Sequence, residues 1–316
     1  MLDALRMTLL ALALALLLGG AAHAAPARGP DIHIEDATRF FALYDATGGR
    51  PTVQQLEQDY LAKGSPSLHT FAKLRRVTAQ RIADQMGKDP AMYAKARQCL
   101  AELPVAKQRL AESFQHLLAA HPQARLPPVA IVVGRGRPVG IAEPAGVTIG
   151  LEALCSADFM NPNVQDRFVH VIAHEYAHVQ QGPITEFEIG DPTATVLRVS
   201  VAEGVAELVA EVISGNVGNA RHAEWTRGRE AEIETAFVRD MDSTDLSAWA
   251  YNYRSPDQPY DLGYWVGYRI AKAYYLQAKD RRAALRHLMA VDDPRKLLAE
   301  SGWTPGMVQP SIDTLE

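Results

Sequence analysis

The sequence predicts a predominantly helical α+β protein on three observations: apolar residues recur at helical spacing over most of its length, β-branched runs are confined to the stretch 129–151, and the longest helical segments fall in the second half. The expected architecture is a helical N-terminal region, a small sheet, and a site built on two packed helices. With 316 residues, 47% of them hydrophobic and 22% charged, the chain can bury a core without metals or disulfides. Its length suits two domains, or one domain with a helical appendage. A formal net charge of -5 argues against the basic stripe that a nucleic-acid partner needs.

Residues 1–24 read as a secretory signal peptide: Arg6, then the apolar run Thr8 to Leu18, then the A-x-A site Ala22-His23-Ala24. The run falls short of the roughly 20 apolar residues that a membrane span requires. No cysteine follows it to take a lipid. The mature chain is therefore expected to be periplasmic or secreted, with no membrane attachment after cleavage.

The region 25–125 shows helical spacing from Asp31 to His121, as in Phe40, Phe41 and Tyr44 and in Leu103, Leu110, Phe114, Leu117 and Leu118. Breaks at Gly48-Gly49, at Gly64-Ser65-Pro66 and at Gly87 with Pro90 divide it into three or four helices. The second region, 126–303, opens at Pro127-Pro128 and changes period. Val129 to Val133 and Gly146 to Leu151 read as two strands. Gly134-Arg135-Gly136-Arg137-Pro138 lacks the spacing of a phosphate loop and reads as a hairpin connection. After the cap cluster Asn161-Pro162-Asn163, helices are expected at Val164–Gln181, Thr193–Ile213, Arg221–Asp240, Asp261–Ala278 and Ala283–Ala290, with a loose tail over 304–316. Cys99 and Cys155 are either bridged or two separate buried thiols.

The helix after Asn163 contains His174-Glu175-Tyr176-Ala177-His178. Side chains four apart share a helix face, so the two imidazoles can meet one Zn²⁺. Glu175 projects from the adjoining angle, where a carboxylate serves as general base toward water activated by the metal. The bland alternative is a solvated helix face. Against it, Val169, Val171, Ile172, Ala173, Ala177 and Val179 surround the motif, and burying two histidines and an acid without a partner is costly.

A hydrolytic zinc needs a third protein ligand. Glu203, in Val201-Ala202-Glu203-Gly204-Val205-Ala206-Glu207, is the expected one, and Gly204 beside it permits close helix approach. Glu207, one turn on, is placed to accept the spare N–H of a ligand histidine. Glu207 itself, or Glu186, Glu188 or Asp191 in the loop, stands in reserve as ligand. An acidic face continuing to Glu211 is the alternative reading of this row.

H-E-x-x-H followed by E-G-x-A-E resembles the gluzincin class of zinc peptidases, similar to thermolysin-type and aminopeptidase-type enzymes. From the Phe40 region through Gly134-Arg135-Gly136 and Gly150-Leu151-Glu152 to Gly263-Tyr264-Trp265-Val266-Gly267-Tyr268, the chain resembles bacterial proteins described only as predicted zinc-dependent proteases. The resemblance implies His174, His178 and Glu203 as ligands, Glu175 as base, and a peptide or protein substrate. No G-A-M-E-N-like segment is present, which speaks against free-amine capture by an exopeptidase.

Peptide hydrolysis also calls for a donor to the developing oxyanion. Tyr260, Tyr264 and Tyr268 lie on one helical stripe, which either presents a hydroxyl to the cleft or is core continued by Tyr275. Tyr264 is the expected donor, Tyr268 the next choice, and His222, in a segment read as exposed, a weaker one. Val147–Leu151 is either a cleft-edge strand that pairs with substrate or an ordinary buried strand. His33, His69, His116, His121 and His287 read as satisfied or exposed. A non-catalytic exported zinc-containing interaction module is the rival reading, and a zinc hydrolase of non-peptide amides a third.

Overall fold

A computed structural model describes residues 29–137, 139–157, 161–188, 190–215, 218–252 and 259–312. The signal segment expected at 1–24 lies outside the described residues. Those residues are predominantly helical with one small mixed sheet, as the hydropathy pattern predicts.

The N-terminal region is more finely divided than expected. It contains α1 (Glu35–Ala46), α2 (Val53–Gln55) running into a π-helical stretch (Leu56–Leu61), α3 (Pro66–Arg75), α4 (Ala79–Lys88), α5 (Pro90–Cys99) and α6 (Leu103–Ala120). The glycine and proline breaks fall where the sequence places them. Two boundaries are additional: one comes from Arg76, which takes a left-handed φ of 53°, and from Thr78, whose hydroxyl accepts the N–H of Arg81 as the cap of α4, and the other is the 3-10 turn Leu100–Glu102 between α5 and α6.

The sheet has four strands, not two, in the order β1-β2-β4-β3: β1 (Ile32–His33), β2 (Val129–Val132), β3 (Gly140–Glu143) and β4 (Gly146–Gly150). β1 and β4 run parallel to β2, with Ile32 opposite Val129 and Val129 opposite Val147. β3 returns antiparallel on β4, Ile141 opposite Thr148. Every residue of β2 is buried, so the sheet is covered on both faces. Of the two readings of Val147–Leu151 the cleft-edge one is corrected here: β4 is interior, paired on both sides, and the edge strand beyond it is β3. Leu151 already belongs to the short helix α7 (Leu151–Ser156).

The loop from β2 to β3 is clamped from below. The buried carboxylate of Glu152 accepts the N–H groups of Gly134 and Gly136, both at 2.8 Å, and the Tyr60 and Tyr93 hydroxyls donate to the carbonyls of Val133 and Gly134. This replaces the simple hairpin expected at Gly134–Pro138 by a crossover that sets β3 outside β4. Cys99 and Cys155 are joined in a disulfide that ties the end of α5 to α7, Cα to Cα 6.2 Å. Closing a loop of 56 residues is worth about 4 kcal/mol in the chain-entropy account.

The second half is built on α8 (Val164–Gln180) and α9 (Val196–Ser214), followed by α10 (Ala220–Thr226), α11 (Glu230–Asp240), α12 (Leu262–Gln277), α13 (Arg281–Met289) and α14 (Pro294–Glu300). The single helix expected at Arg221–Asp240 is split between α10 and α11 at Gly228, whose φ of 77° no helix accommodates. Asn163 caps α8 by accepting the N–H of Asp166, and Thr195 caps α9 by accepting that of Arg198. Residues 304–312 form no helix or strand, yet they are tied down: Gly306 donates to Glu234 at 2.6 Å, and Gln309 to the carbonyl of Arg269 at 2.8 Å.

α9 is buried on nearly its whole circumference, between α8 and α12. It meets α12 backbone to backbone. A Cβ at Gly204 would stand 2.0 Å from the carbonyl carbon of Gly267, and one at Gly267 would stand 1.7 Å from the carbonyl oxygen of Ser200. The helix-breaking residue inside α9 is thus the condition of that crossing, and it locks the helix that bears Glu203.

Candidate metal centre

α8 and α9 pack antiparallel. His178 meets Glu203 while His170, two turns earlier, meets Glu207, so the side-chain pairs run in opposite senses along the two helices. Nε2 of His174 and Nε2 of His178 lie 3.0 Å apart, and Glu203 Oε2 lies 3.3 Å from the first and 3.2 Å from the second. The three residues the motif picks out therefore converge on one point.

The outer side of each ring faces an oxygen. His178 Nδ1 is 2.6 Å from Gln181 Oε1, and the orientation of that amide is set because its Nε2 donates to the carbonyl of Ala202 at 2.8 Å. His178 Nδ1 must therefore be the donor. His174 Nδ1 lies 3.0 Å from Glu207 Oε1, a carboxylate that can only accept. With both rings neutral and the protons on Nδ1, both Nε2 atoms carry lone pairs that face the Glu203 carboxylate. Three acceptors meet with no donor among them. That is the demand of a cation, and two imidazoles with one carboxylate are a zinc donor set.

Protons can meet the same demand. Burial works against charging His174 or His178, but Glu207 and Glu203 push the first well above the ordinary histidine value, and Glu203 pushes the second up. Burial likewise opposes ionising Glu203, yet the two imidazoles hold it at about 2. The group is thus strongly coupled and ordered around a positive charge.

Glu175 is only 8% exposed, and burial pushes its carboxyl up, opposed by His174 and His178. It lies against the edge strand: a Cβ at Gly140 would stand 2.3 Å from Glu175 Oε1, so only glycine leaves the carboxylate its place beside β3.

A second group shares His174. His170, His174 and Glu207 also bring ligand-type atoms within 4.8 Å of one another, as His174, His178 and Glu203 do. His170 was not singled out in the sequence; its signal was the four-residue spacing 170, 174, 178 down one face of α8. Gln181 and Gly140 were missed as well, and no local pattern marks either.

Among the oxyanion candidates, Tyr264 is half-buried, edge-on to Tyr251 with ring centroids 6.4 Å apart. Tyr268 is corrected: its hydroxyl is buried, donating to Glu211 Oε2 at 2.5 Å and accepting from Lys272 Nζ at 3.0 Å, which also accounts for the third acid of the row. His222 is corrected too. It is buried rather than exposed, with Nε2 2.5 Å from the carbonyl of Tyr260. Asp191, a reserve ligand, is engaged in its own turn with the N–H and hydroxyl of Thr193.

Asp261, at the left-handed φ of 56° that starts α12, accepts the N–H of Tyr251. Burial, and with it the charge of Glu203, push its carboxyl up to about 6 against that hydrogen bond. The folded state therefore favours the protonated acid, which disfavours folding at neutral pH and is relieved as pH falls. Asp261→Asn keeps the acceptor and the tolerance for left-handed backbone. In chelator-treated protein it is expected to raise stability at pH 7 by on the order of 3 kcal/mol at most, and the gap to wild type should close between pH 7 and pH 4. A gap constant across that range in thermal melts would contradict the assignment.

Fold and site together define a helical α+β protein in which two histidines of an H-E-x-x-H helix and a glutamate of the next long helix could hold a metal ion. Residues 153–292, which include α8, α9 and every residue of the cluster, match the family described as Predicted Zn-dependent protease (DUF2268). No curated protein and no solved structure matches the chain.

Proposed function

We propose that the protein is a zinc-dependent peptidase of the gluzincin type, with His174, His178 and Glu203 holding the metal. The observation that carries this reading is the convergence of two imidazole nitrogens and a carboxylate oxygen at 3.0–3.3 Å from one another. The family match over the same helices supports zinc and proteolysis. When bound there, zinc supplies Lewis acidity toward a carbonyl and toward water.

The chain's own residues do the remainder. Glu175 accepts a proton from the attacking water at its carboxylate and delivers it to the departing amide nitrogen. Its burial favours this, because a carboxyl pushed up from the ordinary range is the stronger base. β3 offers an edge beside Glu175 on which an extended peptide can add as a further strand, a mode that binds backbone with little selectivity for sequence. Tyr264 is the donor assigned to the oxyanion. The joined cysteines leave no thiolate for a four-ligand structural site, which favours a catalytic over a purely structural metal.

Export to the periplasm or beyond belongs to the same proposal. It rests on the signal segment and fits the disulfide. No helix among the described residues is long and apolar enough to cross a membrane. The activity is tested by incubating zinc-loaded protein with an unfolded casein-type substrate. Cleavage that a chelator abolishes and added zinc restores is expected. Cleavage indifferent to the chelator, or none by protein carrying one zinc per chain, would contradict the reading.

A further inference from the structure

Glu207 is the expected partner of His174, but a carboxylate holds a ring in place only if it is itself held. Its two oxygens are divided. Oε1 lies 3.0 Å from His174 Nδ1, and Oε2 lies 2.8 Å from Nε2 of His170, one turn earlier on α8. His170 is 2% exposed, and its Nδ1 has no hydrogen-bond partner among the described residues, which places the proton on Nε2 and makes that atom the donor to Glu207. The proton on His170 Nε2 thus fixes one end of the carboxylate, and His174 takes the other.

A further observation shows that this contact is built. The ring of His170 is seated against Gly218, where a Cβ would stand 1.9 Å from Nε2, so the imidazole reaches Glu207 only because residue 218 has no side chain. Glu207 also borders a cavity of about 10 Å³, lined by Glu211, Gly218, Asn219, Trp265 and Tyr268. That is room for about one water.

We infer that His170 is a positioning residue for the metal centre: through Glu207 it fixes the proton and the orientation of His174, so that Nε2 of His174 faces Glu203 and His178. It touches neither substrate nor metal. This inference rests on the zinc reading above. It competes with the alternative that His170, Glu207 and His174 Nδ1 hold a second ion of their own.

The test is zinc affinity of the full chain, measured by competition with a chromophoric chelator. His170→Ala is expected to weaken binding about 10- to 100-fold, the range seen when outer partners of metal ligands are removed. His170→Gln, which can present an amide N–H to Glu207, should recover most of that loss. In a Glu207→Ala background, His170→Ala should add no further loss. A folded His170→Ala protein that binds zinc as tightly as wild type overturns the inference, and so does a His170→Gln protein as weak as His170→Ala. Two zinc ions per wild-type chain, falling to one in His170→Ala, would establish the second-ion alternative and overturn it also. Wild-type protein that takes up no zinc overturns the zinc reading and this inference with it.

Discussion

Glu175→Gln should retain one zinc per chain and lose peptidase activity by about 10³-fold, within the range of removing a general acid–base group. The carboxamide is nearly the same size, so the space against Gly140 is filled as before. It makes no difference to the point where His174, His178 and Glu203 meet. What changes is the one group able to take a proton from water and hand it on. The burial that pushes the Glu175 carboxyl up makes it a competent base, and glutamine has no such capacity at any pH. Steady-state cleavage of a quenched peptide, with zinc quantified in the same sample, separates the two effects. Retained cleavage at full metal content would remove Glu175 from the chemistry, and parallel loss of zinc and activity would make it part of the metal-holding set.

Glu203→Ala is expected to lower bound zinc to well under one per chain. The carboxylate lies 3.2 and 3.3 Å from the two Nε2 atoms and supplies the negative charge of the donor set. Without it, two neutral imidazoles remain to oppose the cost of dehydrating a dication. Because zinc bound only to the native state raises stability by mass action, added zinc should raise the melting temperature of wild type and leave that of Glu203→Ala nearly unmoved. Unchanged stoichiometry in the variant would transfer the ligand role to Glu207, whose Oε1 lies 3.0 Å from His174 Nδ1.

The centre was legible in the sequence because helix periodicity alone places positions 174 and 178 on one face, and Gly204 beside Glu203 announces a close crossing that the structure shows against Gly267. What was not legible depends on distant partners. His170 continues the spacing of 174 and 178, but its role shows only once Glu207, 37 residues away, meets it. Tyr268 and His222 changed roles for the same reason: Glu211 lies 57 residues from the first, and the carbonyl of Tyr260 38 residues from the second. β1 has two residues, and β3 is Gly-Ile-Ala-Glu, too short and too weakly patterned to stand out, so neither edge strand was foreseen and the choice between a cleft-edge and a buried strand at Val147–Leu151 stayed open. Whether Cys99 and Cys155 are bridged depends on the distance between their Cα atoms, which spacing along the chain does not encode.

The central claim is tested most directly by a crystal structure of the zinc-loaded protein, with anomalous diffraction recorded at the zinc edge. The account predicts one peak per chain, about 2.0–2.2 Å from His174 Nε2, His178 Nε2 and a carboxylate oxygen of Glu203. A peak between His170, His174 Nδ1 and Glu207, or none within reach of Glu203, would contradict it.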